Sequence, residues 1–168
     1  LSFSDGLLVE AVDNPVWLTT MMRHVIRIAR ETGEKYLYDA RHAAQVSESA
    51  LALFDLLRAE HYCTERHRLL LEVAALLHDI GVFVNARGHH KHAMYLIRNT
   101  EFIGLSAAEI NVIALVARYH RKAMPQASHP EYSALPQGDR LVVCKLAAIL
   151  RVADALDRVH DQSLGRLK

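Results

Sequence analysis

His78 and Asp79 interrupt the most apolar stretch of the chain, Leu69–Gly81 (LLLEVAALLHDIG). A helix that is apolar on nearly every face belongs at the centre of a domain, so two adjacent ionisable side chains in its last turn stand where water is scarce. Burying them without partners costs roughly several kcal/mol, and the fold must give them something to bind. A divalent cation meets that need. Imidazole and carboxylate both ligate it, and a helix C-terminus favours positive charge nearby.

Helical spacing places three more metal-type side chains on faces that should be core. His42 shares its face with Val46, Ala50, Leu53 and Leu57; Asp154 follows Leu146 and Leu150 on one stripe; His120 follows Ile110, Ile113 and Ala117. With His78 and Asp79 that makes five inward-pointing ligand types on four helices, which is how helical bundles build metal centres. Taken singly, each has a plainer reading. A lone buried histidine is usually satisfied by one hydrogen bond, and Asp154 could pair with Arg23 or Arg118. The coincidence of all five favours the cation.

The elements that must position these residues are all helical. Asp13-Asn14-Pro15 reads as a helix start, with the helix running to about Thr32 before Gly33. Asp39 reads as the N-cap of a second helix to about Glu60, and the central helix spans about Glu65 to Ile80 before Gly81 ends it. Further helices are expected over His89–Asn99, from the capping box Ser106-Ala107-Ala108-Glu109 to near His120, and over Asp139–Asp161. Residues 124–137 carry three prolines and form the longest irregular segment, a kind of loop that is often functional. No strand alternation and no internal repeat is found, so the class is all-α, a bundle of about six main helices. Residues 1–12 read as a lead-in or linker and 13–168 as one helical domain. The absence of an initial Met suggests a fragment or a processed chain.

Composition narrows the function class. Twenty basic against nineteen acidic residues argue against a dedicated DNA binder, though not against a local basic pocket. Cys63 and Cys144 cannot form a disulfide framework, which points to a reducing, cytoplasmic setting. No apolar run reaches membrane-spanning length.

The order His42, His78-Asp79, Asp154 resembles the H…HD…D signature of the HD superfamily of helical metal-dependent phosphohydrolases. That resemblance implies a divalent ion (Mn, Mg, Zn or Fe) on those four residues. It also implies a second metal or phosphate site on His89 and His120, with His90 and His92 as rivals to His89. Three longer runs, His89-His90-Lys91-His92-Ala93-Met94-Tyr95-Leu96-Ile97, Ala117-Arg118-Tyr119-His120-Arg121-Lys122 and Leu150–Arg158, look like one subfamily. It is the C-terminal helical domain of exopolyphosphatase/guanosine-pentaphosphate phosphatases, and the likeness covers about residues 36–165.

In full-length members of that subfamily, polyphosphate cleavage belongs to two actin-like domains preceding this region, which this chain does not contain. The resemblance thus implies a module that binds polyphosphate and supports dimerisation. The exposed side of the apolar helices could accept a second copy. Two basic clusters, His90-Lys91-His92 and Arg118-Arg121-Lys122, offer Lys point charges and Arg forks to phosphate oxygens; alternatively they are solvated helix ends. Three readings follow: a metal-dependent phosphohydrolase acting on a phosphate ester or polyphosphate-like ligand, a non-catalytic polyphosphate- or nucleotide-binding module, and a metal-free helical scaffold.

Overall fold

The computed structural model describes residues 15–165, with side chains described for 16–158. Six long helices dominate: α1 (Pro15–Lys35), α2 (Ala40–Leu56), α4 (Glu65–Leu77), α5 (His89–Arg98), α6 (Ala107–Arg118) and α8 (Gln137–Gly165). Two single-turn helices, α3 (Arg58–His61) and α7 (Pro130–Ser133), and a 3-10 turn at Ile80–Phe83 connect them. No strand occurs among the described residues, and the all-α expectation holds. The lead-in at 1–12 and the start at Asp13-Asn14 lie outside the described residues.

The apolar run at 69–77 does what its composition dictates. Leu69, Leu70, Leu71, Val73, Ala74, Ala75, Leu76 and Leu77 are all buried. A helix with no polar face has to be surrounded, and α4 packs against α1, α2, α6 and α8. Fully burying each leucine is worth about 2 kcal/mol before conformational entropy is subtracted. Remaining contacts place α5 on α6 and on the 3-10 turn, and lay α8 along α2 and α6.

Helix starts follow the sequence closely. Asp39 caps α2, accepting from the backbone N–H groups of Arg41 and His42 at 3.1 and 3.0 Å. Ser106 and Glu109 form the expected reciprocal box at α6. Thr64 and His67 form a second one at α4, with the His67 ring in the role usually taken by Glu or Gln.

Helix ends differ more. The second helix breaks after Leu56 instead of continuing to Glu60, and Phe54, not Leu57, fills the core beneath it. Leu57 is 39% exposed. The central helix stops at Leu77, so His78 and Asp79 sit at its mouth and not in its last turn.

Gly81 is not a helix stop. It lies inside the 3-10 turn because α5 crosses directly over it: a Cβ there would sit 1.9 Å from the His89 carbonyl oxygen and 2.5 Å from the Ala93 nitrogen. The 124–137 segment is pinned to the end of α6 by Arg118–Glu131 at 2.9 Å and by the Tyr119 hydroxyl on His129 Nδ1 at 2.7 Å.

Candidate metal centre

The mouth of α4 collects the predicted side chains. His42 comes from the first turn of α2, His78 and Asp79 from the end of α4, and His89 from the start of α5. His120 comes from the turn after α6, and Asp154 from the middle of α8. His78, His120 and Asp154 are 0%, 2% and 3% exposed, so any charge they carry is met by protein or by a ligand, not by bulk water.

Two histidine pairs flank Asp79. On one side His42 Nε2 and His78 Nε2 are 3.2 Å apart, at 3.7 and 3.6 Å from Asp79 Oδ2 and 3.5 and 3.7 Å from Asp154 Oδ1. On the other, His89 Nε2 and His120 Nε2 are 3.3 Å apart, at 3.2 and 3.3 Å from Asp79 Oδ1. Each carboxylate oxygen of Asp79 therefore faces its own pair. Oδ1 is buried yet has no hydrogen-bond partner among the described residues.

The far nitrogens explain the orientation of the rings. His78 Nδ1 donates to the Ala75 carbonyl at 2.7 Å, His89 Nδ1 to Ala86 at 3.0 Å and His120 Nδ1 to Ala117 at 2.5 Å. A carbonyl oxygen can only accept, so in each neutral ring the proton sits on Nδ1 and the Nε2 lone pair points inward. His42 Nδ1 is held by Asp157 Oδ2 at 2.6 Å. A ring whose outer nitrogen is fixed by a carbonyl or carboxylate is how proteins orient a histidine ligand.

Two lone pairs meeting at 3.3 Å, as at His89 and His120, repel unless a positive species lies between them. The donor set of imidazoles and carboxylates suits a divalent ion, and His42, His78 and Asp154 lie close enough together to share one, as do His78, Asp79 and His120.

The electrostatics respond to the same crowding. The Asp154 carboxylate raises the His42 imidazole to about 9 against the opposing effect of burial, with Asp157 and Asp79 adding to the rise. Burial pulls Asp79 and Asp154 upward, but both carboxyls are held far below the ordinary range. His120, His78 and His89 hold Asp79 down, and His42, His78 and Arg158 hold Asp154 down. Burial lowers His120.

The basic residues divide. Burial pushes the His90 imidazole down to about 4, with His89 and His120 adding to the drop and nearby Lys122 and Lys91 contributing last. Lys122 adopts left-handed backbone (φ 58°), and Arg151 steadies that turn by donating to the carbonyls of Tyr119, Lys122 and Ala123. Arg118 is spent on Glu131 and lies against Met94 and Tyr119. His92 and Arg121 are half-buried.

Asp157 and Arg158 join the site without having been assigned to it from the sequence. Arg158 grips Asp154 through Nε and Nη2 at 2.7–3.1 Å, so the salt-bridge partner is neither Arg23 nor Arg118. Spacing holds a signal for it, since Arg158 is four residues beyond Asp154 on the same helix face.

The family model for Ppx/GppA phosphatase, domain III, matches residues 25–167. A guanosine-5'-triphosphate,3'-diphosphate pyrophosphatase of Photobacterium profundum is 27% identical over 148 residues, 87% of this chain and 29% of that protein. The protein of the same name from Pseudoalteromonas translucida is 34% identical over 89 residues, 52% of this chain and 18% of that protein. The matched region thus spans less than a third of the length of these relatives.

Proposed function

The chain belongs to the Ppx/GppA phosphatase family, as its domain III, and on that footing we propose that it is an HD-type metal-binding domain acting as a phosphohydrolase on a phosphate ester or polyphosphate-like ligand. His42, His78, Asp79 and Asp154 would hold one divalent ion, and His89 and His120, across Asp79, a second. The observation that carries this reading is the pair of inward-facing Nε2 atoms on each side of Asp79, every one fixed from behind through Nδ1.

Bound divalent ions supply Lewis-acid polarisation of a phosphoryl oxygen and acidification of water. The chain's own residues do the rest. Asp79 presents one oxygen to each histidine pair, Oδ2 toward His42 and His78 and Oδ1 toward His89 and His120. His90, Lys91, His92 and Lys122 would meet the remaining phosphate oxygens on the His89–His120 side. Asp157 and Arg158 are positioning residues, one for the His42 ring and the other for the Asp154 carboxylate.

A second reading, a non-catalytic phosphate- or nucleotide-binding and dimerisation module, is favoured by the small share of the relatives that the chain matches. It predicts ligand binding without turnover. A scaffold without metal would need a proton between the His89 and His120 nitrogens, which stand 3.3 Å apart.

The test is metal content by elemental mass spectrometry beside phosphate release. One or two ions per wild-type chain are expected, both lost in Asp79→Ala, with His78→Ala and Asp154→Ala each losing the first. Metal-dependent release of phosphate supports the phosphohydrolase; metal with no turnover on any phosphoester supports the module. Full metal content in all three variants would overturn the site.

A further inference from the structure

On the His42 side the cluster opens into a cleft of about 450 Å³, within the range that holds a small organic ligand. One wall is the α1–α2 connection, with Tyr36, Leu37 and Tyr38; the other is the 3-10 turn, with Val82 and Phe83; His42 and Asp79 form its inner end. Tyr36 and Phe83 meet edge to face, ring centroids 5.6 Å apart. These walls are apolar but not buried. Leu37 is 80% exposed and Phe83 55%. Apolar side chains left facing water beside a buried polar centre mark a surface that something apolar covers.

Charge separates the two approaches to the centre. Among the described residues no lysine or arginine lines the cleft, Lys35 reaching only the Tyr36 ring at 5.4 Å from its centroid, and its remaining acid, Asp39, is committed to capping α2. Lys91 and Lys122 stand on the opposite side, around His90. A polyanion running out along the cleft would lose water and meet Leu37, Val82, Phe83, two tyrosine rings and the Asp39 carboxylate, with no lining cation to offset its charge. A flat, uncharged ring would instead find aromatic edges and faces at stacking distance.

We infer that the cleft takes the organic part of a phosphomonoester, a planar uncharged ring packed on Phe83 and Tyr36, with its phosphoryl group at the His42–Asp79 end. This rests on the phosphohydrolase reading above and names its substrate class. The ring could belong to a nucleoside or to an aryl alcohol, and an unbranched polyphosphate is disfavoured. Phe83 is the specificity-determining residue.

The test compares 4-nitrophenyl phosphate, adenosine 5'-monophosphate, methyl phosphate and tripolyphosphate with protein supplied with Mn²⁺. A saturation-transfer NMR measurement of adenosine and 4-nitrophenol on metal-free protein accompanies it. The ring-bearing esters should exceed methyl phosphate and tripolyphosphate in kcat/KM by about tenfold or more. Phe83→Ala should remove about tenfold of that preference through KM, and Phe83→Trp should restore it, a scale set by one stacked ring. Which ring ester leads identifies the source.

Tripolyphosphate turned over as well as either ring ester, or a preference indifferent to Phe83→Ala, overturns the inference while leaving the phosphohydrolase standing. If no phosphoester is hydrolysed, the phosphohydrolase reading fails and the NMR arm decides alone. Saturation transfer to either free ring, lost in Phe83→Ala, upholds the cleft assignment; its absence overturns it.

Discussion

Single side chains at this centre are poised by what stands behind them. His78, His89 and His120 each spend one nitrogen on the carbonyl three residues earlier, and His42 spends one on Asp157. The ring types are legible in the sequence because helical spacing puts polar groups on apolar stripes. Their backing is not, because a backbone carbonyl has no side-chain signature.

His90 is a contrasting case, buried with its Nδ1 unpartnered. Its imidazole is held near 4, below the usual 6.5, so the unfolded chain takes up the proton first as pH falls. Stability is therefore intact above about pH 6.5 and declines as pH drops toward 4. His90→Phe should remove about 1–3 kcal/mol of that decline, read as the difference in urea midpoint between about pH 7 and about pH 4.5. An unchanged pH slope in the variant would show that His90 is not the group responsible.

Among the elements, the 3-10 turn after α4 decides whether the second histidine pair can form. A glycine after an apolar run is usually an ordinary helix stop, and the sequence alone gives Gly81 that role. No spacing rule reveals that the backbone of α5 passes over the glycine, with the His89 carbonyl oxygen 1.9 Å from where a methyl carbon would sit. Gly81→Ala should cost about 1–3 kcal/mol by overpacking and push His89 away from Asp79. Gly88 offers the control. It has left-handed backbone (φ 78°) but open space around its Cα, so Gly88→Ala should cost only about 1 kcal/mol. Chemical denaturation of the two variants gives the order, and metal content should fall by one ion in Gly81→Ala alone.

At the level of the whole molecule, the ligand types reside on α2, the end of α4, α5, the turn after α6, and α8. Metal at this point would add one more tie between segments already joined by packing, by the His42–Asp157 bond and by Arg151 on the turn after α6. An excess of about a hundredfold over the dissociation constant should add about 2.7 kcal/mol of stability, or about 5–10 °C in Tm for a chain of this size. Thermal unfolding with and without Mn²⁺ or Zn²⁺ measures it, and the increment should vanish in Asp79→Ala. Capping boxes and the central apolar helix make the architecture readable, since both are local signals. The break after Leu56 and the burial of Phe54 are not readable in that way, because they depend on how α2 meets α4 and α8.

The position of Asp79, with one oxygen turned to each histidine pair, also sets a balance of charge. Among the described residues only Asp79 and Asp154 face the cluster as carboxylates directly, because Asp157 is turned to the back of His42, and Arg158 already offsets part of Asp154. A pair of divalent cations would bring twice the charge these two acids carry. With the Arg158 charge set against that of Asp157, the loaded protein would hold two unmatched positive charges in a pocket where Asp154 is almost dry, and a phosphate dianion would neutralise them. Inorganic phosphate, the product of any phosphomonoesterase, should therefore be a competitive inhibitor, and its departure a slow step of the cycle.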